Sequence, residues 1–137
     1  MHHIIRQFNL QPGDSIVVPK SDWKIIEHYI VFLGCDEYGN EWCAENHNVS
    51  GVRIVLAKEV LTGIVQVNRV KRFKGNKYER KAAVQKALAK AGKPYSLINY
   101  NCEHFSNEIQ TGIPSSSQAG WGIGIVAAIS LLLIFRS

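Results

Sequence analysis

The hydrophobic pattern of this chain changes period once, after Val70, and that change limits the architectures open to it. Before it, apolar residues come in short runs separated by turn chemistry. Residues 15–18 follow the turn Pro12-Gly13-Asp14 and read as a strand rich in β-branched side chains. Residues 25–33 are the most strand-like run, closed by Gly34, and residues 36–40 supply a polar hairpin turn. Residues 41–47 return as the partner strand, and residues 49–56 and 64–70 read as two more. About five short strands joined by tight turns predict a mostly antiparallel sheet. After Val70, an apolar stripe of Ala82, Ala83, Val84, Ala87, Leu88 and Ala91 recurs at helical spacing, and Gly92 and Pro94 stop it. Strands first and helices afterwards make an α+β domain.

A second helix is predicted in Asn99-Tyr-Asn-Cys-Glu-His-Phe-Ser-Asn-Glu-Ile-Gln-Thr-Gly112. Asn101 suits a helix start, because its side chain can accept from the first unpaired backbone N–H groups. Cys102, Phe105 and Ile109 then share one face, and Gly112 can leave in a left-handed turn. Cys102 is thereby put at a helix N-terminus with its sulfur inward, where the dipole favours a thiolate. A buried structural cysteine is the other reading of the same position.

Asn101-Cys102-Glu103-His104-Phe105 resembles the signature of the lecithin:retinol acyltransferase-like (LRAT domain) family, permuted relatives of the NlpC-type cysteine peptidases. The upstream box of that family is matched by residues 27–34, Glu-His-Tyr-Ile-Val-Phe-Leu-Gly, preceded by residues 13–18. The resemblance spans about residues 12–112. It implies a permuted papain-like fold, with a small antiparallel sheet packed against helices.

A cysteine nucleophile needs a base, and the base needs a group to hold it. His28 is the candidate base. Strict alternation puts it on one strand face with Ile26, Ile30 and Phe32, expected to be the face covered by the cysteine helix. His47 is the candidate third member, because the resembled family carries a second histidine on the next strand. A register shift of one presents Asn46 instead. His104 faces away from Cys102 and reads as structural, Glu103 favours the helix start by its charge, and Cys35 and Cys43 have no metal-site spacing. No cofactor or metal is expected. The resemblance implies acyl transfer through a Cys102 thioester, with His28 shuttling the proton and a phospholipid as acyl donor. A cysteine peptidase or amidase on the same fold, and a non-catalytic membrane-associated binding protein, remain as alternatives.

The chain has 137 residues and carries a net charge of +5. That length supports one domain with a real core. Three cysteines form no paired framework, as in a reducing compartment, and residues 1–10 hold no signal-peptide apolar run. Between Asn68 and Lys93 lie ten basic residues and one acidic, Glu79. Such a stretch can meet an anionic lipid surface or nucleic acid, or be a solvated helix face; the membrane reading is favoured over nucleic acid. The domain is assigned to residues 1–113 and a polar linker to 114–118. Residues 119–135 carry no charged side chain and are expected to form a C-terminal apolar helix that anchors the chain in a membrane in a single pass. The basic cluster before it would keep the catalytic domain cytoplasmic.

Overall fold

A computed structural model describes residues 1–20, 27–96, 100–113 and 135–136. The element order is α1 (His3–Gln7), β1 (Ser15–Pro19), β2 (Glu27–Asp36), β3 (Glu41–His47), β4 (Gly51–Leu56), α2 (Ala57–Leu61), β5 (Arg69–Lys71), α3 (Lys77–Ala89), α4 (Cys102–Thr111) and β6 (Phe135–Arg136). Five strands make an antiparallel sheet in the order β4-β3-β2-β1-β5. The polar turn after β2 is held by Asp36, whose Oδ1 accepts from the amides of Tyr38 and Asn40, each at 2.9 Å. That Asx-type turn fixes the β2–β3 register.

Two expectations need correction. The strand expected over 64–70 contracts to Arg69–Lys71, preceded by the short helix α2. Ala57 and Leu61 bury themselves under the sheet one helical turn apart, and Gly63 (φ +91°) then turns the chain away. The apolar lead-in also forms a helix, α1, which buries Ile4 and Ile5. The linker expected over 114–118 and the apolar helix expected over 119–135 lie outside the described residues, apart from Phe135. That residue and Arg136 pair with Asp36 and Cys35, so Phe135 is in a strand rather than a helix. Among the described residues, no helix is long and apolar enough to cross a membrane.

Alternation along the strands sorts the core into two. Ile16, Val18, Ile30, Phe32 and Cys43 face α1 and α2. Val31, Leu33, Ala44 and Val52 face α3 and α4, where Ala83, Val84, Ala87, Phe105 and Ile109 close over them. Each fully buried Val, Leu, Ile or Phe side chain among them contributes about 1.5–3 kcal/mol. Helix α3 begins with a capping box, Asn76 accepting from Glu79 N while the Glu79 carboxylate accepts from Asn76 N.

Much of the basic stretch is spent inside the domain. Asp14, fully buried in the turn before β1, pairs with Arg72 and Arg80 and accepts from the amides of Phe73 and Gln11. Arg69 pairs with Glu27, Lys71 donates to Asn107, and Lys93 lies over the Tyr100 ring. Lys74 and Lys77 are exposed. The sequence charge count therefore overstates the free positive surface.

Candidate active site

Asn101 builds the start of α4. Its Oδ1 accepts from the amides of Glu103 (2.9 Å) and His104 (3.0 Å), while His104 Nδ1 accepts from Asn101 N (2.9 Å). This is a capping box with histidine in place of the usual Glu or Gln. Gly112 ends the helix at φ +83°, as expected. Of the first-turn amides, that of Cys102 is left without an acceptor among the described residues. It is available to an incoming anion.

The sulfur of Cys102 fills a gap in the sheet. The β2–β3 ladder begins at Ile30↔Glu45 and does not reach residues 27–29 of β2, although β3 continues beside β4 to His47. Into that opening Cys102 Sγ donates to the carbonyl of Glu27 at 3.4 Å, and the Tyr29 amide supports its thiolate form. Asn46 holds the opening in place: its Nδ2, fully buried, donates to the carbonyls of Tyr100 (2.8 Å) and Asn101 (3.2 Å). A side chain of β3 thus ties down the very start of the cysteine helix.

His28 meets this sulfur, though not as alternation suggested. The face of Ile16, Val18, Ile30 and Phe32 is covered by α1 and α2, whereas Cys102 packs with Val17 and Tyr29 on the other. The ring comes close enough to Cys102 to act on its charge because His28 lies near the end of β2, in the part that β3 leaves unpaired. Its Nδ1 is buried there without a hydrogen-bond partner among the described residues. Its Nε2 contacts Glu45 Oε1 at 2.5 Å. Nδ1 is then the nitrogen left for the cysteine side.

Glu45 is the residue the sequence reading missed. It is 2% exposed, and its second oxygen pairs with Arg53 across β3 and β4. His47, expected to hold His28, is engaged elsewhere: its Nδ1 accepts from the amides of Val49 (3.1 Å) and Ser50 (3.2 Å) in the following turn. The structure brings together Cys102, His28 and Glu45, and leaves His47 and Asn46 off the imidazole. The signal was in the sequence, since Glu45 and His47 share a strand face and a carboxylate is a better partner for an imidazolium than a second imidazole.

Electrostatics follow from these contacts. Burial alone would lower the proton affinity of His28, but the nearby Cys102 and the Glu45 carboxylate overcome it and raise the pKa to about 9. Burial likewise resists a Cys102 thiolate, yet the neighbouring His28 imidazole, the Tyr29 amide and nearby Lys20 bring its pKa down. Burial also works against Glu45, which His28 and Arg53 hold in its charged form. Among the described residues there is no cluster of His, Cys, Asp or Glu able to hold a metal ion.

A cysteine at a helix N-terminus, facing a strand-borne histidine that a buried carboxylate holds, defines a thiol-enzyme class of site. The chain belongs to the lecithin retinol acyltransferase family, whose model matches residues 8–115. That membership points to an acyltransferase-type enzyme. The comparison with curated proteins gives no match.

Proposed function

We propose that this chain is a thiol-dependent phospholipid acyl hydrolase or acyltransferase, working through a thioester on Cys102. The observation that carries it is the imidazole of His28, held through Nε2 by Glu45 next to a Cys102 whose thiolate it favours. Its Nδ1 is buried without a hydrogen-bond partner among the described residues. Cys102, as thiolate, attacks the ester carbonyl, and its own N–H is the free donor nearest the developing oxyanion. His28, protonated in the pair, gives its proton to the departing alcohol through Nδ1. It then takes a proton from the water, amine or alcohol that attacks the thioester, which frees the acyl product and restores the thiolate. Glu45 positions the ring and stabilises its charged form throughout, and Arg53 keeps Glu45 ionised. His47 is not needed in this scheme.

A phospholipid donor is supported by family membership and by the uncharged run over residues 119–135. That run would anchor the chain in a membrane, with the domain on the cytoplasmic side. Incubation of the purified chain with an acyl-labelled phospholipid should leave label on Cys102, removable by hydroxylamine. Failure to acylate Cys102 with any ester would overturn the reading. Alkaline carbonate should leave the full chain in the membrane fraction; its release would overturn the anchor alone.

A further inference from the structure

On the side of His28 away from Cys102 lies a cleft of about 440 Å³ between the end of the sheet and α2. Its chemistry is lopsided. Its lining includes the apolar Val60 and Ile64 together with the basic or donating Lys20, His47 and Arg53. Of its two carboxylates, Glu45 is already taken by His28 and Arg53, and Glu59 is an exposed residue of α2. With His28 protonated, three positive groups face two negative ones. His47 adds a directed donor: with Nδ1 committed to two amides, its neutral ring must carry the proton on Nε2. Arg53 uses Nε and Nη2 on Glu45, and its Nη1 has no partner among the described residues. The cleft therefore offers a cation, a fork edge and an imidazole N–H together with apolar side chains, a combination suited to a tetrahedral oxyanion attached to an apolar chain.

We propose that this cleft is the subsite for a phosphate group of the acyl donor, gripped by Lys20, the His47 Nε2–H and Arg53 Nη1, while Val60 and Ile64 take the adjoining apolar segment. His47 thereby acquires a role in substrate selection rather than on the catalytic imidazole. The link to turnover rests on the acyl-transfer reading above; binding of the anion does not. The phosphate can belong to a phospholipid headgroup or to a soluble phosphorylated acyl donor, since the contacts read only the shared oxyanion.

Binding is tested without catalysis in full-length Cys102→Ala protein held in neutral detergent. Glycerol 3-phosphate should give a saturable shift of the His47 ring signals in NMR, glycerol should give none, and Lys20→Gln should weaken the binding about tenfold, the loss of one charged contact. No saturable shift, or one indifferent to Lys20→Gln, overturns the subsite. Turnover is then compared between a phosphate-bearing ester and its neutral analogue. His47→Gln should cut the preference for the phosphate-bearing ester about tenfold; an unchanged preference overturns the proposal. A cut seen only with phospholipid assigns the headgroup as source, and one seen also with a soluble phosphorylated ester assigns the phosphate alone. Should glycerol 3-phosphate bind as expected while no ester acylates the wild-type chain, the subsite stands and the acyl-transfer reading falls.

Discussion

Cys43 and Cys102 are equally hidden from solvent, each 1% exposed, yet their environments drive them in opposite chemical directions. Cys43 lies in the middle of β3, on the face packed by α1 and α2, among Ile16, Val18, Ile30 and Phe32. Burial and the nearby carboxylates of Glu45 and Glu41 push its thiol up, so it stays protonated and behaves as a small hydrophobe. Cys102 lies on the other face, at the first turn of a helix, where an imidazole and a backbone amide favour its thiolate. Burial opposes ionisation at both sites. What separates them is the gap in the β2–β3 ladder, which admits His28 to one sulfur and nothing comparable to the other. The opposite shifts of the two thiols thus follow from a sheet defect, not from exposure.

The largest effect expected of any single change is at the sulfur itself. Cys102→Ser should abolish acyl-enzyme formation, because a hydroxyl has none of the thiolate's nucleophilicity at neutral pH. The fold should survive, since the serine hydroxyl can still donate to the Glu27 carbonyl that Cys102 contacts. Mass spectrometry of the trapped intermediate, alongside a thermal melt, checks both halves. Next comes His28→Gln, which should reduce turnover by about two to four orders of magnitude, the usual range for a lost general base. It should also erase the contrast between the cysteines. In the native chain, iodoacetamide at neutral pH should modify Cys102 well before Cys43; after His28→Gln that preference should collapse.

Glu45→Gln refines the comparison by changing charge without changing shape. The carboxylate favours the imidazolium, so its loss lowers the proton affinity of His28 and leaves the Cys102 thiolate with a weaker counterion. The thiolate–imidazolium pair exists between the ionisation of Cys102 and the deprotonation of His28 near pH 9. Removing the Glu45 charge raises the lower limit and lowers the upper one. Alkylation of Cys102 measured against pH should therefore show a narrower window on both sides, and turnover should fall about one to two orders of magnitude, the worth of a charged hydrogen bond. The same linkage acts on stability. Because the folded His28 pKa lies above its ordinary 6.5, its contribution is complete below pH 6.5 and is lost as pH rises through about 9. Unfolding midpoints across that range should fall less steeply in Glu45→Gln than in the native chain.

How much of this was legible in the sequence differs between the two faces. The α4 side was readable, because a capping Asn, an i, i+3, i+7 apolar set and a terminal Gly are local signals, and each is used as expected at Asn101, Cys102–Phe105–Ile109 and Gly112. β3 came out over the expected residues for a similar reason, an Asx turn at Asp36 setting where the return strand begins. The α1 and α2 side was not readable in the same way. Five-residue helices carry too short a period to register, and Ile64 and Val67 look like strand residues while packing as loop residues. The third member of the site depended on a non-local fact. Which of Glu45, Asn46 and His47 reaches His28 is set by where β3 parts from β2, and no window of sequence contains both strands' register. Alternation also misjudged the face on which His28 would find its cysteine, because it assumes that a ladder continues to the strand's end.

The smallest expected effect completes the contrast, and it falls on the inert cysteine. Cys43→Ser puts a hydroxyl where the neighbours Ile16, Val18, Ile30 and Phe32 offer no acceptor. A buried hydroxyl without a partner costs about 1–3 kcal/mol. Within a domain of this length a loss of that size lowers the melting midpoint by several degrees, roughly 2–8 °C per kcal/mol. Acylation of Cys102 at a temperature well below the melt should be unaffected, because the substitution leaves the Glu45–His28 contact and the cap at the start of α4 in place. The two serine substitutions should therefore give mirrored results: at Cys102, lost chemistry in a stable fold; at Cys43, intact chemistry in a weakened one. A denaturant titration of both variants beside the trapped-intermediate assay reads this directly. If Cys43→Ser also slowed acylation at low temperature, the faces would be mechanically coupled through β3, and the gap that holds Cys102 would depend on the packing beneath it.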